Sequence, residues 1–243
     1  MCWGCEPDGS PGRATLPVYA GQPVAMIPRL ISFDAVGTLF EPHPSVGAVY
    51  AEVAAACGLE RDAAELEACF RPAFAAAVAR WRVPDGIDDE DARRFWALVV
   101  EDTFAEPLPH ELVCELYDTF ATARRWRVLP GVREALATVS AHGLPAVVVS
   151  NFDARLPPLL AELGLGPFVA VVTSAQVGAA KPAPAALLAA CSQAGVAVED
   201  TLHLGDSARE DGGMCAAAGA RWLEVDPRQG IPLAALHAML VRR

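Results

Sequence analysis

The sequence predicts an α/β protein in which helices cover both faces of a parallel sheet and an all-helical block is inserted after the first strand. Three observations carry this. Leu30-Ile31-Ser32-Phe33 is mostly apolar, too short for a helix and bounded by breakers, so it reads as a buried strand that ends at Asp34. Between about residues 45 and 125 the only periodicity is helical. From Trp126 onward short apolar runs alternate with amphipathic segments, as they do when parallel strands are joined by helices.

Taken in order, residues 1–28 are rich in Pro and Gly without periodicity and read as a flexible N-terminal extension. Met26 stands at the expected edge of the folded unit. Residues 29–43 and 126–243 are expected to form the core domain, and residues 44–125 the helical domain inserted into it. Within the insertion Val46, Val49, Tyr50 and Val53 recur at helix spacing, as do Leu66, Cys69, Phe70 and Phe74. Two further amphipathic segments cover Asp89 to Phe104 and Pro109 to Ala123, with turns at Gly58, Pro84-Asp85-Gly86 and Pro107. Arg80-Trp81-Arg82 and Arg93-Arg94 read as solvated charge.

After Trp126, Leu129-Pro130-Gly131 opens a helix to His142, and a strand from Leu144 to Val149 ends in Ser150-Asn151. A helix from Arg155 to Leu163 leads to a strand from Phe168 to Thr173. Lys181-Pro182 precedes a helix from Pro184 to Ala194. The strand Thr201 to Leu204 ends in Gly205-Asp206-Ser207, and a helix follows to Ala218. A strand from Arg221 to Val225 and a helix from Leu233 to Val241 complete the pattern.

Composition narrows the class of function. At 243 residues, with 53% hydrophobic and 20% charged residues, the chain can bury a sizeable core. A net charge of −11 argues against generic binding to nucleic acid or anionic membranes, although a local site can still take a small anion. The seven cysteines have no framework spacing, which suggests reduced thiols and a cytoplasmic location. Cys2 and Cys5 form a C-x-x-C without a second pair at zinc spacing, and read as part of the tail. No apolar run approaches membrane-spanning length, and the N-terminus lacks a signal-peptide pattern.

Four loops at expected strand ends carry polar groups that could meet at one edge of the sheet: Asp34 with Thr38, Ser150 with Asn151, Lys181, and Asp206 with Asp211. Gly37 permits a sharp turn straight after the first carboxylate. Of the 19 lysine and arginine residues only Lys181 is a lysine, which marks a position that needs a compact three-donor ammonium in place of a planar fork. Carboxylates gathered beside it call for a hard divalent cation with oxygen ligands.

These segments, Asp34-Ala35-Val36-Gly37-Thr38-Leu39, Ser150-Asn151, Lys181-Pro182 and Gly205-Asp206-Ser207 with Asp211, occur in the order of the four motifs of the haloacid dehalogenase superfamily. The chain resembles its subfamily IA, which has a helical cap inserted after the first motif, and the group described as haloacid dehalogenase-like hydrolase domain proteins with a DAVGTL-type first motif. The resemblance spans about residues 29–243. It implies a Rossmann-like core and a Mg²⁺-dependent phosphatase of a small phosphorylated metabolite, acting as a monomer or homodimer without nucleic-acid or membrane partners. Carried over, Asp34 is the nucleophile that becomes an aspartyl-phosphate. Thr38, Ser150 and the backbone N–H of Asn151 grip the phosphoryl group, and Lys181 neutralises it. Asp34, the Val36 carbonyl, Asp206 and Asp211 surround Mg²⁺.

One departure stands out. Phosphatases of the family place a second aspartate, the acid and base of the reaction, where this chain has Val36. A valine transfers no proton, and loss of such a group costs roughly 10²- to 10⁴-fold. The resemblance therefore supports a weakened phosphatase favouring good leaving groups. The alternative is a phosphate-binding or regulatory relative without turnover. Dehalogenation fits less well, because dehalogenases of the family lack the acidic pair in the fourth motif, and phosphonate hydrolysis lacks the cap lysine it needs. His43 offers a substitute proton carrier only if it lies beside Asp34; a surface position between Pro42 and Pro44 is the simpler expectation.

Overall fold

The structure is a computed structural model that describes residues 27–81 and 89–241. Met26, Cys2, Cys5, Arg82 and the turn at Pro84-Asp85-Gly86 lie outside the described residues. The strands are β1 (Leu30–Phe33), β2 (Phe40–Pro42), β3 (Trp126–Val128), β4 (Ala146–Ser150), β5 (Ala170–Thr173), β6 (Thr201–Gly205) and β7 (Arg221–Glu224). The main sheet runs β5-β4-β1-β6-β7, all pairs parallel, with β1 at its centre.

The position of β1 follows from its composition. All four of its residues are buried, and the period-2 geometry of a strand sends neighbours to opposite faces. Ile31 and Phe33 enter one apolar core, beneath α5 (Val132–Ala141), α6 (Leu156–Glu162) and α10 (Leu233–Leu240). Leu30 enters the other, beneath α8 (Ala185–Ala194) and α9 (Gly213–Ala218). A strand buried on both faces needs a near-continuous apolar run, and Ser32 is the exception.

The inserted block contains α1 (Val46–Ala56), α2 (Ala63–Arg80), α3 (Asp89–Phe104) and α4 (His110–Thr119), built around a third core that includes Val49, Tyr50, Phe70, Val99 and Leu116. Ser45 and Asp62 cap the first two helices by accepting from the N–H groups of Ala48 and Glu65. Helix α1 meets the start of α2 at Gly47, where an added methyl would lie 2.2 Å from the Ala63 carbonyl oxygen. Only glycine allows that approach. On α2 the buried stripe is Leu66, Phe70, Ala73 and Ala77, so Cys69, expected on the apolar face, is exposed instead. The small alanines let α2 pack closely and complete the stripe.

Two features depart from the expected elements. The helix expected to reach Ala123 stops at Thr119, and a single 3₁₀ turn over Ala123–Arg125 follows. Arg125 is buried there in a two-pronged pair with Glu52 of α1, at 2.7 and 2.8 Å. The two segments joining the insertion to the core are paired antiparallel as β2 and β3, with Glu41 opposite Arg127. The N–H of His43 extends this ribbon by donating to the Arg125 carbonyl at 2.8 Å. Among the described residues no helix is long and apolar enough to cross a membrane.

Candidate active site

The carboxyl ends of β1, β4 and β6 lie side by side in the sheet, and the loops leaving them carry the polar groups. Asp34 follows β1 directly and is 3% exposed. Gly37 turns the chain with φ 86°, and an added methyl there would stand 2.5 Å from Oδ2 of Asp206. The left-handed backbone and the approach of a carboxylate both demand glycine. From β6 the chain enters a π-type turn over Ala208–Gly212, whose wider coil turns Asp211 inward to complete burial. The N–H of Ser207 donates to Oδ2 of Asp211 at 3.0 Å.

Three carboxylates converge. Oxygens of Asp34, Asp206 and Asp211 all lie within 4.8 Å of one another. Lys181, its side chain 1% exposed, sits with Nζ 2.7 Å from Oδ1 of Asp34 and 2.7 Å from Oδ1 of Asp211. One ammonium against three carboxylates leaves negative charge uncompensated, and the titration behaviour expresses it. Burial, reinforced by Asp34 and Asp211, pushes the Asp206 carboxyl up to about 8. Burial also raises Asp34, outweighing the pull of Lys181. For Asp211 burial opposes ionisation, but Lys181 and His203 prevail and hold it below the usual carboxylate range. Among the described residues the buried Oδ1 of Asp206 and the hydroxyl of Thr38 have no hydrogen-bond partner. Three hard oxygen ligands, one of them unsatisfied, fit a hard divalent cation.

Of the residues expected from sequence, Asp34, Lys181, Asp206 and Asp211 meet in this cluster. Thr38 and Ser150 are buried at the ends of the first and second motifs. Asn151 acts as a brace: its Oδ1 accepts from the Lys181 N–H at 2.8 Å, and its Nδ2 donates to Glu210 at 2.9 Å. It thereby joins three of the four loops. Val36 is 3% exposed. It helps to line a small, mainly apolar cavity with Tyr50, Phe70, Trp96 and Phe152. His43 is exposed on the ribbon, in line with the surface reading.

Sequence reasoning missed two groups. His203, fully buried on β6, lies 3.0 Å from Oδ1 of Asp211 through Nε2 and 2.8 Å from the Ser32 hydroxyl through Nδ1. The strand register pairs Ser32 with His203 directly, which explains a serine in a strand buried on both faces. Polar residues at matching positions of two adjacent apolar strands were the available signal. The second group is Asp153 with Arg155, a buried pair at 2.6 Å in the loop after Asn151. This loop touches the insertion: Trp96 Nε1 donates to Asp153 at 3.1 Å, and Arg155 donates to the Tyr117 carbonyl at 2.8 Å. The Arg155 guanidinium also lies 3.7 Å from the centre of the Tyr117 ring.

Comparison with known proteins agrees with the motif order. A family model described as haloacid dehalogenase-like hydrolase matches residues 28–219. The chain belongs to this family. This haloacid dehalogenase-like hydrolase is 34% identical to a "haloacid dehalogenase-like hydrolase domain-containing protein 3" of Xenopus laevis, over 78% of this chain and 80% of that one. It is 30% identical to a phosphoglycolate phosphatase of Pseudomonas putida, over 80% of this chain and 68% of that one. Among solved structures, a defluorinating L-2-haloacid dehalogenase superposes with TM-score 0.66 at 19% identity, covering 84% of each chain, a likeness of fold alone.

Proposed function

We propose that this hydrolase is a Mg²⁺-dependent phosphatase of small phosphorylated metabolites that works through an aspartyl-phosphate on Asp34. The observation that carries the reading is the convergence of Asp34, Asp206 and Asp211 around one buried ammonium, Lys181. The carboxylates of Asp34, Asp206 and Asp211, with the Val36 carbonyl, would hold Mg²⁺. The ion, when bound, would offset the charge of the carboxylates and of the phosphoryl oxygens and fix their relative orientation.

The chain's own groups supply the rest. A carboxylate oxygen of Asp34 attacks phosphorus in line, the bond to the leaving oxygen breaks, and that oxygen departs with the electron pair. Thr38 and Ser150 donate hydrogen bonds to the transferring group, and Lys181 stabilises its charge. Burial of the site excludes bulk water, which strengthens each of these interactions. Water then releases inorganic phosphate and restores Asp34. Neither step has a proton carrier at position 36, so the first favours leaving groups that depart as stable anions and the second is slow. The helical insertion serves as a cap whose opening breaks the contacts of Trp96 and Tyr117 with Asp153 and Arg155.

Mg²⁺ binding is checked independently of turnover. A ligand that binds the folded state at about 100 times its Kd adds about 2.7 kcal/mol, which raises Tm by roughly 5–11 °C in a chain of this size. Mg²⁺ is expected to produce such a rise in wild type, and Asp206→Asn to abolish most of it. Equal shifts in both proteins would remove Asp206 from the site. One observation, Val36 itself, favours a second reading, a protein that binds a phosphorylated ligand without consuming it. Multiple turnovers of any phosphate ester that require Mg²⁺ exclude that reading.

A further inference from the structure

Resting on the phosphatase reading, we infer that the substrate is a small aryl phosphate, a phosphomonoester whose leaving group is a planar phenol-like oxygen. Two features of the site point the same way. The first is what borders the position of the missing acid. The cavity that Val36 lines, about 40 Å³, is walled mainly by rings and aliphatic side chains, and among the described residues the one charged group on it, Arg155, is already paired with Asp153. Among the described residues the only hydroxyls on it are those of Tyr50 and Tyr117, the second already donating to Asp89 at 3.0 Å, and burial makes both phenols weaker acids than usual, so the leaving group must be a weak base.

The second feature is the wall of the approach. Phe70, Trp96 and Phe152, which line the Val36 cavity, also line a cleft of about 580 Å³ that reaches Lys181 and Asn151. Phe74, Trp81 and Phe95 of the insertion extend this wall, and Arg71, Asp153, Arg209 and Glu210 supply the polar part of the lining. Phe74 packs edge-on against Phe95 with ring centres 5.7 Å apart and tilted against Trp96 at 6.0 Å. All three of these rings remain only partly buried, so they face the cleft as well as filling the interior. A cleft of this volume takes a small molecule. Low basicity alone would admit acyl phosphates; the aromatic wall selects a planar apolar body over a short polar one.

The test separates binding from reactivity with non-hydrolysable phosphonates, titrated calorimetrically against the full chain in Mg²⁺. Phenylphosphonate is expected to bind about tenfold or more tightly than methylphosphonate, because the ring buries apolar surface that the methyl lacks. Phe74→Ala is expected to reduce that preference to within about threefold while methylphosphonate binding stays unchanged, since the phosphate-gripping groups are untouched. Phe95→Leu, a milder change, should reduce it in the same direction if Phe74→Ala fails to fold. In kinetics both variants raise KM for phenyl phosphate more than they lower kcat, and raise KM for acetyl phosphate by less.

Equal binding of phenyl- and methylphosphonate, or tighter binding of the polar phosphonoacetate, overturns the aryl assignment and leaves the phosphatase reading standing. Failure of every phosphonate to bind with Mg²⁺ overturns the phosphate site, and the aryl assignment with it.

Discussion

Asp34→Asn is expected to lower kcat/KM for p-nitrophenyl phosphate by a factor on the order of 10⁴ or more, because the amide is a poor nucleophile and forms no acyl phosphate. The same variant should fold at least as well as wild type. Burial raises the Asp34 carboxyl above its ordinary range. A carboxyl raised in the folded state weakens stability as pH climbs past its unfolded value, so at neutral pH the charged form costs the fold something that a neutral amide does not. Lys181 keeps Asp211 as its partner at 2.7 Å. Thermal melts in Mg²⁺-free buffer should therefore show a Tm no lower than wild type beside an inactive enzyme. A dead variant that melts well below wild type would make Asp34 a structural residue, and full activity in the variant would remove it from the chemistry.

Val36→Asp is expected to act in the opposite direction. Restoring a proton carrier next to the leaving oxygen should raise kcat/KM for alkyl phosphates, which reports the transfer to Asp34 and not the common second step, by about 10²-fold or more. Aryl phosphates, which need less help in departing, should gain less, so the dependence of rate on leaving-group basicity becomes flatter. The new carboxyl would stand where Val36 is 3% exposed and walled by Tyr50, Phe70, Trp96 and Phe152. Such surroundings raise the pKa of an acid and suit it to donate a proton, at a cost to stability of roughly 1–3 kcal/mol. A series of alkyl and aryl phosphates measured on both proteins checks this. Parallel changes for the two classes would contradict the role assigned to position 36.

Much of the fold was legible because the signals were strong. A four-residue apolar run ending in Asp34 can hardly be a helix, and Val46, Val49, Tyr50 and Val53 recur at helix spacing within α1. What escaped was short or depended on tertiary context. Strands β2 and β3 have three residues each, below the length at which alternation is visible, and they exist because each pairs with the other. The four-residue helix α7 (Ser174–Val177) is set by a reciprocal cap between Thr173 and Gln176, too brief for periodicity to reveal. In the site, the spacing of Asp206 and Asp211 was visible in sequence, whereas the π-type turn that turns Asp211 inward was not. Arg155 read as the first residue of a helix; its burial depends on Tyr117 and Asp153, contacts that only the fold supplies.

The phosphoryl group itself provides the most direct test. With no base at position 36, dephosphorylation is the slow step, so mixing excess p-nitrophenyl phosphate with enzyme and Mg²⁺ should release a burst of close to one phenolate per active site before slow turnover. Acid quenching during the steady phase, followed by peptide mass spectrometry, should find one added phosphoryl group on Asp34, absent when Mg²⁺ is removed. Sustained Mg²⁺-dependent phosphate release with Asp34 unmodified throughout would contradict the account.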